Sequence, residues 1–382
     1  MDVVVIGGGI VGLASAYYLA RRGADVTVYE KGTLGNGSTE RSAGGIRTQF
    51  STAVNVELSL ASLEVWDRFE EAFGVDIGHR RTGYLFLTRD EATAATFEEN
   101  VAMQRDLGAP AEYVDGADLQ DYCAGLHADR FVAGTYCGVD GFADPYLAMQ
   151  GYAGAAREAG AAVHIKTPVT DIHREGDRVI GVSTERGRHD ADVVVNAAGP
   201  WAGRVAAMAG LDLPVAPRRR QVLVVDPERP VPEDDPLTID LDTGLYFRPE
   251  REGVALVGGQ FDGPDPDQDP DGYDTGVDFD WVGEVMERAT DVAAYFGDET
   301  RVRRGWAGLY AVTPDHHPVL EESLPGLVNA IGFSGHGFQH APATGQLVAE
   351  MAVDGAPALV DISRLSSDRF ERGETVPERN VA

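Results

Sequence analysis

The sequence predicts an α/β protein in two interleaved parts: a domain on a mostly parallel sheet, and a second, α+β domain whose strands run mostly antiparallel. Three observations carry this. The chain opens on a strand, a glycine turn, an amphipathic helix and a second strand: Asp2 to Ile6, Gly7 to Gly12, Ile10 to about Arg22, and Asp25 to Glu30. A valine-rich strand ending in small residues, Val193 to Gly199, arrives much later and fits the edge of the same sheet. Beyond Leu213-Pro214 the pattern changes to alternating strands and acidic, proline-rich loops such as Pro264 to Asp274. At 382 residues, 43% of them hydrophobic, the chain exceeds what one ordinary domain holds.

The other elements follow in order. The small-residue stretch Gly35 to Gly45 permits close backbone approach to a ligand. Ser51 and Thr52 offer N-cap oxygens for a helix running to about Phe73, with Gly74 as its stop. Thr82 to Thr88 reads as a strand. A helix from Pro145 to about Gly160 leads to strands near Ala162 to Ile165, Val169 to Ile172 and Arg178 to Ser183. Leu327 to Ile331 and a final helix from about Ala341 return to the first domain. Residues 1–81, 145–212 and 326–370 are therefore assigned to that domain, and 82–144 and 213–325 to the second. The charged segment 371–382 is expected to fray.

Composition excludes several classes. The formal charge of −30 arises from 62 acidic against 32 basic residues, and Lys31 and Lys166 are the only lysines. A polyanion would be repelled from most of such a surface, so nucleic acid is not an expected partner. An acidic, lysine-poor surface instead suits a high-salt, halophilic setting, where counterions screen self-repulsion. Cys123 and Cys137 make neither a disulfide framework nor a CxxC pair, which points to a reducing cytoplasm. No export signal and no apolar run near 18 residues is found, so stable membrane insertion is not expected. His316 and His317 resemble a metal pair, but no third ligand is in view; they read as a turn near the site, with no metal.

Gly7-x-Gly9-x-x-Gly12 gains its meaning from context. It follows a strand, opens a helix at Ile10 and Val11, and precedes Glu30 at the end of the next strand, the arrangement that binds a dinucleotide in a Rossmann domain. Gly7 makes the turn, Gly9 admits the pyrophosphate and Gly12 packs helix on strand. Glu30 accepts from an adenosine ribose hydroxyl, with Lys31 beside it. NAD would satisfy this fingerprint equally. The late strand 193–199 and the later C-terminal glycine turn favour a longer cofactor held from several parts of the chain, FAD in a glutathione-reductase-like FAD-binding Rossmann domain.

The chain resembles the D-amino-acid oxidase superfamily of flavoproteins, and within it sarcosine oxidase, dimethylglycine dehydrogenase and the β subunit of archaeal proline dehydrogenase. The segments carrying the resemblance span nearly the whole chain. They are VVVIGGGIVGLASAYYLARRGADVTVYEKG, SAGGIRTQF, VDGFADPY, VNAAGPWA, GLYFRPE, WAGLYAVTPDHHPVL and IGFSGHGFQHAPATGQLVAEM. It implies that Ser38, Arg41, Ser42 and Ala43 line the flavin and ribityl chain, with Gly44 next to them. Val169 would frame the adenine, and Ala197, Ala198 and Gly199 pass near the phosphates, close to Trp201. Gly332, Ser334, Gly335, His336, Gly337, Phe338 and Gln339 would wrap the isoalloxazine ring. A helix starting after Gly337 would aim its positive end at the flavin, where negative charge appears on reduction.

On the substrate side the resemblance matches Arg47 to an arginine that pairs with the substrate carboxylate, a task suited to the two-pronged guanidinium. The competing reading is a structural ion pair. Tyr246 and Tyr310 match tyrosines bordering the substrate cavity, although buried tyrosines also serve as core residues. His336 and Gln339 fall where the family places polar groups over the flavin. Arg248 reads either as a second carboxylate contact or as a surface arginine.

Three departures refine this reading. Gly308 stands where covalently flavinylated relatives carry cysteine, so the FAD is expected to be noncovalent. Gln339 replaces a lysine of some relatives, which weakens the case for sarcosine itself. Leu256 stands near the place of the lysine that assists oxygen reduction in monomeric sarcosine oxidases. The expectation is a dehydrogenase for an amine, an N-substituted amino acid of the sarcosine, dimethylglycine or proline class, passing hydride from the α-carbon to flavin to give an imine, and electrons to a quinone, an electron-transfer protein or, sluggishly, oxygen. The alternatives are a primary amino acid or 2-hydroxy acid as donor, or a subunit active only with a heteromeric partner. Tyr310 stands where glycine- and D-amino-acid-type relatives carry their arginine, which lowers the first alternative.

Overall fold

Two sheets divide the molecule, and the computed structural model describes residues 1–261 and 263–380 of it. The first sheet has six strands in the order Val319–Leu324, Leu327–Ile331, Val193–Asn196, Asp2–Ile6, Asp25–Tyr29 and Ala162–His164. All neighbours are parallel except the first pair. Asp2–Ile6 reads as a continuous apolar run because both of its faces are covered. Val3 and Val5 point to the helices Ile10–Arg21 and Gly337–Ala349. Val4 and Ile6 point instead to a three-stranded antiparallel sheet, Val169–Glu175, Arg178–Thr184 and Gly187–Asp190, and to the short helix Ala202–Met208.

The second sheet has eight strands in the order Arg301–Val312, Ala216–Asp226, Ala255–Gly259, Leu245–Pro249, Leu237–Asp240, Tyr84–Thr88, Ala133–Cys137 and Glu112–Asp115. It is antiparallel apart from the Leu237–Asp240 and Tyr84–Thr88 pair. One face carries Leu85, Leu87, Leu223, Phe247 and Val257 under the helix Phe279–Val292. Side chains alternate across a strand, so the neighbouring residues Tyr84, Tyr246 and Leu256 are presented on the opposite face, toward the first domain.

Several sequence expectations need correction. The strand at 193–196 is interior rather than an edge, because Leu327–Ile331 pairs on its far side. Val319–Leu324, assigned above to the second domain, closes the first sheet by a hairpin with Leu327–Ile331. The helix expected to run to Phe73 is two, Ala53–Trp66 and Phe69–Phe73, broken at Asp67 and Arg68 and stopped by Gly74 at φ 68°. The hydroxyls of Ser51 and Thr52 do not cap it; both bond to the Glu378 carboxylate at 2.7 Å. The tail is not frayed, for Glu378 and Asn380 are 1% and 4% exposed. Residues 381–382 of the expected tail lie outside the described residues.

The final helix carries Pro342, which has no N–H for the carbonyl four residues back. Side chains of the helix Ala53–Trp66 meet the backbone around it: Ser62 Oγ accepts from Ala343 N, and Trp66 Nε1 donates to the Gln339 carbonyl. These contacts fix the start of the final helix against the rest of the site.

Candidate active site

Between the two sheets lies a cavity of about 590 Å³, and most residues expected to bind the cofactor line it. Gly7, Gly9, Ile10 and Val11 form its floor, with Glu30 and Lys31 at one end. Ser38, Arg41, Ser42 and Ala43 form one wall, and Val169, Ala197, Ala198, Gly199 and Trp201 another. Gly308, Tyr310, Tyr246, Gly332, Ser334, Gly335, Gly337 and Phe338 close the far end. Gly12 and Gly44 stand behind this lining, as do Arg47, His336 and Gln339. The structure thus brings the cofactor set together and withdraws three of the five expected substrate residues behind the wall.

Local geometry explains the glycines. Gly7 has φ +113°, and a Cβ there would lie 2.4 Å from the Ala197 carbonyl oxygen, so only glycine makes this turn between the two central strands. A Cβ on Gly12 would lie 2.1 Å from the Gly7 carbonyl oxygen, which is the close helix–strand approach the motif requires. Glu30 accepts from Gly8 N at 2.8 Å and from Gly32 N at 2.6 Å, which holds the turn and the acidic residue in one unit. At the start of the helix Ile10–Arg21 the Ile10 N–H donates to Thr39 Oγ1 at 3.1 Å, and Gly9, Ile10 and Val11 line the cavity there, at the positive end of the helix. This cradle fits the pyrophosphate of a dinucleotide.

The opposite end is built by the segment before the helix Gly337–Ala349. Ser334 adopts φ +51°, rare for a residue with a Cβ, and is held there because its hydroxyl accepts from Thr313 N at 3.2 Å. The helix that follows has no side-chain cap, and Gly335, Gly337 and Phe338 line the cavity at its start.

Arg47 is 6% exposed and stacks on the Phe50 ring, its guanidinium carbon 4.0 Å from the centroid. Its Nη1 donates to the Gln49 carbonyl at 2.5 Å, and its Nη2 lies 3.1 Å from His336 Nε2 and donates to the Asn380 carbonyl. Its backbone N–H donates to Gln339 Oε1 at 2.8 Å, so Gln339 positions the loop rather than facing the cavity. Burial lowers the Arg47 pKa. Burial, and then the Arg47 charge, hold His336 well below the usual histidine range, leaving its ring neutral.

Arg248 is neither a surface residue nor a free carboxylate contact. It is buried over Phe142, pairs with Glu250 at 2.9 Å, and donates from Nε to the Ala43 carbonyl at 3.1 Å. His316 occupies the expected turn at φ +62°, while His317 is buried against Asn55 at 3.2 Å. Among the described residues no cluster suited to a metal ion occurs. Sequence reasoning passed over Tyr84, Asp140 and Glu378. Tyr84 is buried close to Arg47 and could have been found from strand alternation. Asp140 accepts from Thr48 N and Oγ1, both at 2.8 Å, and from Gln49 Nε2, and burial raises its carboxyl to about 6.

The DAO family, described as FAD dependent oxidoreductase, matches residues 2–351. The chain belongs to this family. It is an FAD-dependent oxidoreductase, and the glycine cradle described above fits that cofactor.

Individual relatives agree. FAD-dependent oxidoreductase domain-containing protein 1 of Xenopus laevis is 34% identical over 100% of this chain and 84% of its own. Sarcosine oxidase subunit beta of Rhizobium meliloti (strain 1021) is 29% identical over 99% of this chain and 90% of its own. The crystal structure of L-proline dehydrogenase from P. horikoshii superposes with a TM-score of 0.89 at 34% identity, covering 98% of this chain and 99% of that one. That likeness extends through both sheets, so the fold is that of the family's FAD-binding enzymes.

Proposed function

We propose that this member of the family oxidises an amine, namely an N-substituted amino acid of the sarcosine, dimethylglycine or proline class, to an imine that water then hydrolyses. The observation that carries this reading is Arg47. It is a buried guanidinium that meets carbonyls, an imidazole and an aromatic ring but, among the described residues, no carboxylate within ion-pair distance. An unpaired buried charge is expensive, and a substrate carboxylate would supply the missing anion in bidentate geometry. The relatives named for sarcosine and L-proline support the same substrate class.

Bound FAD, held by Glu30, the Gly7–Gly12 turn and the 38–43 wall, would supply the two-electron acceptor; Gly308 offers no sulfur for a covalent bond to it. Arg47 would orient the substrate by its carboxylate, and Tyr246 and Tyr310 would bound the α-carbon and its substituents. His336 is neutral and adds no charge beside the amine. A low-dielectric pocket favours the neutral amine, the form able to release hydride, so no dedicated base is required. Leu256 on the cavity-side face of its strand places no ammonium near the flavin, which favours a dehydrogenase feeding a quinone or an electron-transfer protein over an oxidase. A second reading, activity only within a heteromeric assembly, is favoured by the likeness to a protein named as a subunit.

The test is an anaerobic flavin spectrum in high salt during addition of sarcosine, dimethylglycine, proline and glycine in turn. Bleaching by a secondary or tertiary amine is expected. Bleaching by glycine alone would overturn the substrate class, and none at all would favour the heteromeric reading. Rapid turnover with stoichiometric hydrogen peroxide would overturn the dehydrogenase assignment.

A further inference from the structure

Residues 369–380 follow a path that their polar sequence does not announce. Arg369 forms a buried ion pair with Asp315, at 2.7 Å through Nε and 3.1 Å through Nη2. The chain then runs back toward the site. The Val376 carbonyl meets His317 Nε2 at 2.9 Å, and Glu378 N donates to the Asp315 carbonyl at 3.0 Å. The Glu378 carboxylate accepts from Ser51 N, Ser51 Oγ and Thr52 Oγ1 at 2.7 Å and from Asn55 Nδ2 at 3.1 Å. It sits at the N-terminus of the helix Ala53–Trp66, where negative charge is favoured. Burial pushes this carboxyl up, but the bonds from Ser51 and Thr52 outweigh it and hold the group below its ordinary range. Arg379 N donates to Ser51 Oγ at 2.9 Å and Asn380 Nδ2 to the Gln49 carbonyl at 3.3 Å. The path ends with the Asn380 carbonyl accepting from Arg47 Nη2.

We propose that residues 376–380 are an internal ligand of Arg47, with Glu378 as the anchor that holds the Asn380 carbonyl on the guanidinium until a carboxylate displaces it. This rests on the reading of Arg47 as the carboxylate-binding residue. The guanidinium fork is filled by two carbonyl oxygens, Gln49 on Nη1 and Asn380 on Nη2, and lies outside the cavity lining. Carbonyl dipoles offset the desolvation of the buried cation but carry no net charge. A carboxylate offers the same two acceptors with a full charge and competes successfully only when the tail lets go. The tail thereby raises the concentration of carboxylate needed to occupy the site.

The test titrates the flavin-loaded protein with acetate, using acetamide as the uncharged control, and follows the perturbation of the flavin spectrum. Three variants are compared with the parent: Glu378→Ala, Glu378→Gln and Arg47→Met. Releasing the tail with Glu378→Ala should tighten acetate binding about ten-fold, the worth of one charge-assisted hydrogen bond. Acetamide, which lacks the charge, should perturb the spectrum of neither protein, and Glu378→Gln, which keeps part of the anchor, should fall between. Unchanged or weaker acetate binding in Glu378→Ala, with Arg47→Met abolishing binding in the parent, would overturn the tail's role alone. If Arg47→Met leaves acetate binding intact, the carboxylate reading falls and this inference with it. Should Glu378→Ala not retain FAD, amide hydrogen exchange of the unaltered protein decides. Acetate should speed exchange at Ser51 and Arg379, and no change there overturns the proposal.

Discussion

Neutral histidines and a buried arginine pack together behind the cavity wall, and that sets a pH dependence. His340 is fully buried, its Nε2 2.9 Å from Ser59 Oγ; burial, then the Arg47 charge, push it down to about 3 from an ordinary 6.5. A histidine lowered in this way binds its proton in the unfolded chain first. It therefore withdraws stability as pH falls from 6.5 toward 3, and has no effect above that window. The full loss is roughly 5 kcal/mol by linkage, an upper bound that relaxation of the site would reduce. Replacing His340 by Gln is expected to flatten the fall of melting temperature between pH 6.5 and 4 while changing it little at pH 8. Parallel pH profiles for the two proteins would refute the assignment.

At the scale of elements, the acidic loop 264–275 is strapped by ion pairs along one wall of the cavity. Alternate aspartates each meet a basic side chain of the body. Asp265 meets Arg220 at 2.9 Å, Asp267 meets Arg218 at 2.9 Å, and Asp269 meets Arg204 at 2.7 Å. Asp271 meets Arg204 at 2.8 Å, Trp201 Nε1 at 3.0 Å and Lys31. Pro270, Asp271, Tyr273 and Thr275 thereby become part of the cavity wall. These pairs are partly to largely exposed and individually weak, so the strap holds through their number. Asp271→Asn weakens the two ion pairs that tie the strap to Lys31 and Arg204 beside Glu30. It is expected to speed FAD release by about five-fold in dilute buffer, measured by loss of flavin to an apoprotein trap, with the difference shrinking as KCl is added. Equal release rates at every salt concentration would show that the strap does not retain the cofactor.

At the scale of the whole molecule, a formal charge of −30 on 382 residues sets a self-repulsion that the fold must withstand. Added salt screens it, and melting temperature is expected to climb by several degrees from dilute buffer to molar KCl. A flat or falling curve would contradict a high-salt habitat. No helix among the described residues is long and apolar enough to cross a membrane.

Glycine spacing, the valine runs and Glu30 determined the cofactor fold from the sequence alone, because backbone conformation and two-sided burial leave a local signature that does not depend on distant partners. Tyr246 and Tyr310 came to the site through the family resemblance rather than through periodicity, and the structure sets both in the cavity lining. Tertiary structure alone decided that Val193–Asn196 is central, that Val319–Leu324 closes the first sheet, and that Arg47 is turned from the cavity toward Asn380. The charged tail gave no periodic signal. Its burial arises from hydrogen bonds with residues more than three hundred positions away, Ser51 and Thr52 to Glu378 and Arg47 to Asn380. Such pairings depend on where the fold places polar groups, which a linear pattern of polarity does not encode.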